Sequence, residues 1–289
     1  MIHMKDVSFV APQSNAEQTL TYKIVGDHEC TMLYYPPTQP VFDRAPVYVI
    51  IPGGGWHSAV AIDMANFSMR SSTALRARGW AVVSLSYRVA PVDGVKMQDI
   101  VSDCMDACRY LARFADVLGI DPHRIVTSGH SAGGHLALML AYAPHRLFTS
   151  ASPYDAQADD FTVIGTAPLS APTILYKDES GYCPQGFAYA DVFEESDRLV
   201  ADLHFASPFD YITPAAVPTL MVCGTHDIDV FPENSTRFYE KCRSMGAPCE
   251  ILYSHFGGHC FESRVEGRES FVDFAGVQDH LIDFITGLE

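Results

Sequence analysis

The chain has 289 residues, 48% of them hydrophobic and 19% charged, the balance of a folded globular protein rather than a disordered one. Nineteen Lys and Arg against 35 Asp and Glu leave a formal charge of −16, and no basic run offsets it, so nucleic acid and anionic membranes are poor partners. No stretch approaches the roughly 18 apolar residues of a membrane span, and the start Met1-Ile2-His3-Met4-Lys5-Asp6 lacks the pattern of a signal peptide, so a cytoplasmic protein is expected.

The first third reads as strands. Gln18 to Val25 alternates with a two-residue period, and Glu29 to Tyr35 follows after the turn Gly26-Asp27. Val47 to Ile51 is a continuous apolar run, as in a strand buried on both faces, and it leads into Pro52-Gly53-Gly54-Gly55-Trp56. A helix is predicted over Asn66 to Arg78, then a buried strand over Ala81 to Tyr87. Val95 to Leu118 carries apolar residues at helical spacing and stops at Gly119; along it Asp99, Asp103 and Asp106 read as a solvated face, with a structural partnership as the alternative for Asp103. A strand over Arg124 to Ser128, a sharp turn Gly129 to Gly133 and a helix over His135 to Tyr142 come next. Strands over Phe161 to Ala167, Thr219 to Cys223 and Glu250 to Tyr253, with helices over Pro232 to Met245 and Gln278 to Leu288, complete the chain. This alternation predicts an α/β fold: a mostly parallel eight-stranded central sheet with helices on both faces, the opening pair forming an antiparallel edge.

We read residues 1–289 as a single domain. One connection breaks the rhythm. Between the strands at Phe161 and Thr219 lies a segment rich in aromatics: Tyr176, Tyr182, Phe187, Tyr189, Phe193, Phe205, Phe209 and Tyr211. A connection this long is usually functional, and residues 171–216 are read as a lid over the C-terminal edge of the sheet. The eight cysteines (Cys30, Cys104, Cys108, Cys183, Cys223, Cys242, Cys249 and Cys260) contain no CxxC pair and read as reduced, mostly buried thiols. No Cys, His and Asp constellation makes a metal site, and no cofactor is expected.

The central motif is Gly129-His130-Ser131-Ala132-Gly133, placed between a buried strand and a helix. A nucleophile elbow needs this setting: the serine sits in a strained turn, and the flanking glycines let strand and helix approach. A serine hydroxyl needs a base, and the base an orienting carboxylate. Past later strand ends come Gly224-Thr225-His226-Asp227-Ile228-Asp229 and Ser254-His255-Phe256-Gly257-Gly258-His259. Asp227 is chosen as acid and His259 as base, with Asp229 and His255 as rivals. Negative charge on the tetrahedral intermediate calls for backbone N–H donors. Ala132 follows the nucleophile, and Gly54 and Gly55 lie in the loop after the first buried parallel strand. His57, His130 and His135 flank these motifs; Trp56 and His130 are the candidate substrate contacts.

With these residues the chain resembles the α/β-hydrolase superfamily, specifically the hormone-sensitive-lipase-like and bacterial feruloyl- and acetyl-xylan-esterase-like carboxylesterases. The resemblance runs from about Val47 to Leu288 and is densest from Leu118-Gly119-Ile120-Asp121-Pro122 to Gly129-His130-Ser131-Ala132-Gly133-Gly134-His135. Tyr87-Arg88-Val89-Ala90-Pro91 and Ser207-Pro208 are further points of similarity. It implies an α/β-hydrolase fold, with Ser131 as nucleophile, Asp227 as orienting acid and His259 as general base. It departs at Pro52, where many relatives carry a histidine that helps brace the glycine loop, which weighs against the arylformamidase branch. The activity implied is hydrolysis of small acyl esters, acetyl or short-chain or aromatic, including esters on carbohydrates. The alternatives are an amidase, formamidase or acyl-peptidase using the same residues, and a non-catalytic ligand-binding scaffold. The expected partner is a small-molecule ester, with a homodimer as the one protein assembly carried forward.

Overall fold

Alternate side chains of the strand Ala45–Ile51 (β4) enter different cores: Val47, Val49 and Ile51 join one apolar cluster, Tyr48 and Ile50 another. All seven residues of this strand are buried, as its unbroken apolar run demands. The computed structural model describes residues 7–58, 69–90, 92–177, 192–193, 196–270 and 272–288.

The other strands are Val7–Ser8 (β1), Gln18–Val25 (β2), His28–Tyr35 (β3), Ala81–Leu85 (β5), Ile120–His130 (β6), Val163–Leu169 (β7), Thr219–Gly224 (β8) and Cys249–Ser254 (β9). They form one sheet in the order β1-β2-β3-β5-β4-β6-β7-β8-β9. The first three ladders, β1 with β2, β2 with β3 and β3 with β5, are antiparallel, and the remaining five are parallel. Among the described residues the sheet therefore has nine strands rather than the eight expected. The ninth, β1, has two residues, too short to leave a periodic signal.

The helices are Met69–Arg76 (α1), Met97–Arg113 (α2), Ala115–Leu118 (α3), Ala132–Tyr142 (α4), Leu199–Phe205 (α5), Glu233–Met245 (α6) and Phe274–Thr286 (α7). The core shared by α2 and α4 lies on one face of the sheet, and Leu75 of α1 and Ile285 of α7 pack together on the other. The expected start of α1 at Asn66 lies outside the described residues. The long helix predicted to end at Leu118 breaks at Phe114, whose backbone leaves the helical region, and Gly119 in the left-handed conformation then stops α3. Seven described cysteines are free thiols, six of them buried; Cys183 lies outside the described residues. Among the described residues no helix is long and apolar enough to cross a membrane.

The carboxylates on α2 correct the solvated-face expectation. Asp103 and Asp106 are fully buried. Lys23, from β2, reaches them at 2.7 and 2.8 Å. Arg88 grips Asp103 with two hydrogen bonds of 2.8 Å, and Arg109 lies 2.7 Å from Asp106. Burial disfavours an ionised Asp103, but Lys23 and Arg88 outweigh it and hold the carboxyl below its ordinary value. At Asp106 burial prevails over Lys23, Ser152 and Arg109, and the carboxyl is pushed up. Asp99 instead accepts from the Lys96 N–H and so caps the start of α2.

Candidate active site

The parallel strands β4, β6, β7, β8 and β9 share one C-terminal edge, and the residues selected from sequence gather along it. Strand β6 ends at His130 and α4 starts at Ala132, which leaves Ser131 alone between them. Its φ of 58° and ψ of −124° lie where non-glycine residues seldom go, a cost of about 1–3 kcal/mol that surrounding structure must sustain. Two contacts sustain it. Ser131 N–H donates to Leu169 O at 2.8 Å, and Ser131 O accepts from His135 N–H at 3.1 Å. Gly133 is needed because a Cβ there would collide with the carbonyl oxygen of Ile51.

Asp227 follows β8 and is 3% exposed. Its Oδ1 accepts from the N–H groups of Asp229 and Val230, both at 2.9 Å, and its Oδ2 lies 2.7 Å from His259 Nδ1. The loop after β9 brings His259 there. His226 N–H donates to Gly257 O, and Gly258 N–H to Glu262 O, so the turn is closed on both sides of the glycine pair. The rivals do not hold the pair: Asp229 and His255 are exposed, and His259 meets Asp227. Asp227, Asp229 and His259 also bring one ligand atom each within 4.8 Å of one another, a spacing a metal ion could use. Both Asp227 oxygens are already engaged by N–H donors, so coordination would displace those bonds.

The glycine loop follows β4. Gly54 has φ +118°, and a Cβ there would collide with the Ser58 carbonyl, so glycine is required. The N–H groups of His57 and Ser58 both donate to Gly54 O. Among the described residues, the N–H groups of Gly54 and Gly55 meet no backbone acceptor. Ala132 N–H is the first of its helix, where amides lack an intrahelical acceptor and favour negative charge. Pro52 O accepts from Tyr87 Oη at 2.9 Å, and Ala90 N–H donates to Trp56 O. Tyr87 thus serves the loop from another strand end, a role its side chain alone does not announce.

Two expected substrate contacts are placed differently. Trp56 is corrected: its ring is 1% exposed and meets His135 edge-on at 5.2 Å, beneath the loop, because its large apolar surface is buried in the core. His130 points its Nε2 at the carbonyl of His259, 2.7 Å away. Ser170, which the sequence reading passed over, donates to the same carbonyl at 3.1 Å. His135 is fully buried and donates from Nε2 to Ala206 O at 2.7 Å, while its Nδ1 meets no hydrogen-bond partner among the described residues. Burial pushes both His130 and His135 down to about 4.

Within 171–216, Tyr182, Phe187 and Tyr189 lie outside the described residues. Tyr176 stacks on His204 and donates to Asp210 Oδ1 at 2.6 Å. Phe205 packs against Phe148, and with Met97, Val192 and Phe193 these rings line a cavity of about 570 Å³ with a charged rim. None of Ser131, Asp227 or His259 lines it.

The BD-FAE family model matches residues 32–242. Esterase LipC of Mycobacterium tuberculosis is 28% identical over 216 residues, 72% of this chain and 50% of LipC. The probable carboxylic ester hydrolase LipM of the same organism is 33% identical over 231 residues, 78% of this chain and 52% of LipM. The chain thus spans about half the length of these two relatives. Among solved structures, Thermogutta terrifontis esterase 2 phosphonylated by sarin is similar with a TM-score of 0.76 and 26% identity over 96% of both chains. The butyrate-bound form of that esterase gives 0.74 and 25% over 94% of both.

Proposed function

The chain belongs to the BD-FAE family and has the α/β-hydrolase fold, and from that premise we propose that it is a serine carboxylesterase acting on small acyl esters. The observation that carries the reading is the 2.7 Å bond from Asp227 to His259 Nδ1, on the same sheet edge as the strained turn at Ser131. Held at Nδ1, the imidazole keeps its proton there and offers Nε2 as the base. Ser131 Oγ attacks the ester carbonyl carbon as His259 takes its proton. Charge on the carbonyl oxygen is met by the N–H groups of Gly54, Gly55 and Ala132. His259 then gives the proton to the departing alcohol. Water, deprotonated by His259, attacks the acyl-serine, and collapse returns the proton to Ser131 and releases the acid.

The acyl group is short or aromatic. Phosphonylation by sarin and a bound butyrate in the similar esterase support a nucleophile of this kind and a short acyl chain. Residues 171–216, as an insertion between β7 and β8 within a single domain, are the segment from which a lid over the C-terminal edge of the sheet would come. Carbohydrate acetates and feruloyl esters are the natural classes to assay.

The test is labelling with a fluorophosphonate probe, read by peptide mapping, alongside p-nitrophenyl butyrate turnover. We expect one label, on Ser131, and a loss of turnover in Ser131→Ala on the order of 10⁵-fold or more with the melting temperature kept. A label without ester turnover, joined to cleavage of a matched amide, moves the reading to an amidase. No label on Ser131 in folded protein overturns it in favour of a silent scaffold.

A further inference from the structure

His259 is anchored twice. Asp227 holds its ring at Nδ1, and its main-chain carbonyl accepts from the His130 ring at 2.7 Å and from the Ser170 hydroxyl at 3.1 Å. The two donors come from neighbouring strand ends. His130 is the last residue of β6, paired in register with Leu169, and Ser170 follows directly on β7. Ser170 N–H is tied to Val222 O at 2.8 Å, and its φ of +45° is one that side-chain-bearing residues rarely adopt. The His130 ring also lies tilted against the His259 ring, 4.5 Å between centroids. A carbonyl accepts only, so His130 carries a proton on Nε2. Its removal from water, with His259 as a second cause, keeps it neutral down to about pH 4.

A single bond at Nδ1 leaves an imidazole free to swing about that bond. A second anchor on the same residue's backbone removes that freedom. His130 immediately precedes Ser131 and donates to His259, so one residue links the base to the nucleophile. We propose that His130 and Ser170 are positioning residues for the general base, fixing the His259 backbone so that its ring stays aligned between Asp227 and Ser131. This inference rests on the serine-esterase reading. It assigns His130 away from substrate and gives Ser170, which lies 1% exposed, a reason for its strained backbone.

The experiment is steady-state hydrolysis of p-nitrophenyl butyrate by His130→Ala, His130→Gln, Ser170→Ala and the double alanine variant, with melting temperatures and fluorophosphonate labelling rates. Misplacement of a reacting group costs up to about 100-fold, so His130→Ala is expected to lose about 30- to 100-fold in kcat with KM almost unchanged. Ser170→Ala should lose less, about threefold to tenfold, since its bond is longer and a neutral donor remains. The glutamine amide can reach where Nε2–H stood, so His130→Gln should recover most of kcat. The double variant should lose more than either single change. A rise in KM with kcat kept makes His130 a substrate contact and overturns the proposal. So does a folded His130→Gln as slow as the alanine variant, or a Ser170→Ala with wild-type kcat. If His130→Ala does not fold, His130→Gln and Ser170→Ala still decide. Wild-type protein with neither label nor turnover instead removes the esterase reading beneath it.

Discussion

The edge around Ser131 and the ion cluster between β2 and α2 are both polar and largely closed to water, yet they are built in opposite ways. In the cluster each charge is met by its opposite: Lys23 by Asp103 and Asp106, Arg88 by Asp103, Arg109 by Asp106. The spare donors of Arg109 end on the carbonyls of Phe148 and His145. Along the Ser131 edge the histidines His130 and His135 are kept neutral, and the Gly54 and Gly55 N–H groups meet no backbone acceptor among the described residues. One cluster is complete in itself, and the other is complete only with a guest. That contrast separates groups that hold the fold from groups able to stabilise charge that develops during a reaction.

The largest effect that breaks the comparison comes from the closed cluster. Lys23→Met removes the cation shared by two buried carboxylates. Breaking a buried pair by removing one partner costs about 3–5 kcal/mol, and because Arg88 still meets Asp103 and Arg109 still meets Asp106 the loss should sit at the low end of that range. Urea unfolding should show that loss, while kcat of the folded variant changes little because Lys23 touches no reacting group. A loss well under 1 kcal/mol would mean that the cluster admits water or rearranges, and that its burial does not translate into stability.

This cluster is also where sequence reasoning fell short. Asp99, Asp103 and Asp106 lie along one helix, and three carboxylates on a helix usually face solvent. Asp106 finds one cation, Arg109, on α2 itself, but the other cations of Asp103 and Asp106 come from Lys23, on β2, and from Arg88, after β5. Spacing along α2 carries no trace of either. Most strands and the nucleophile turn were legible, because a buried parallel strand is an unbroken apolar run and a strand–turn–helix junction needs small residues. The pairing of Asp227 with His259 was legible for a topological reason, since both follow parallel strands that end on one edge. Ser170 was not. A serine after a strand has no distinguishing neighbour, and its role exists only once the His259 carbonyl arrives above it. Trp56 was misplaced because an aromatic beside a glycine loop suits a substrate contact and a buried support equally well.

Acid should act on the two regions in separate windows. His135 sits at about 4 in the folded chain and near 6.5 when unfolded. The unfolded state therefore binds more protons between those values, so the stability from a neutral His135 is full above about 6.5 and is lost as pH falls toward 4. A shift of this size in a fully buried group corresponds to roughly 3 kcal/mol. His130 shares the direction. Asp103 is held below its ordinary value, so its contribution persists through that window and is lost only as pH falls further. Denaturant midpoints from pH 7 to 4 should slope downward, and His135→Gln should flatten the slope even if it lowers stability throughout. An unchanged slope would show that His135 is protonated in the folded chain or reached by water.

The smallest expected effect sits where the two regions join. Tyr87 and Arg88 are consecutive. Arg88 belongs to the closed cluster through Asp103, while the Tyr87 hydroxyl donates to Pro52 O at the root of the glycine loop. The cluster thereby fixes the backbone from which the loop is braced. Tyr87→Phe keeps the ring and removes that one bond. Stability should fall by about 1 kcal/mol, the usual net worth of a hydrogen bond. Loss of a whole oxyanion donor costs about 100-fold or more, and a loop that is loosened but still present should cost less, about threefold to tenfold in kcat, with KM kept. A trifluoromethyl ketone, which forms a tetrahedral adduct with the nucleophilic serine, should weaken by the same factor as kcat/KM, because both depend on the donors at Gly54 and Gly55. If stability falls while kcat and ketone affinity hold, the Tyr87 hydroxyl belongs with Arg88 to the structural cluster, and Gly54 and Gly55 keep their geometry through the Trp56 carbonyl and the turn at Ser58.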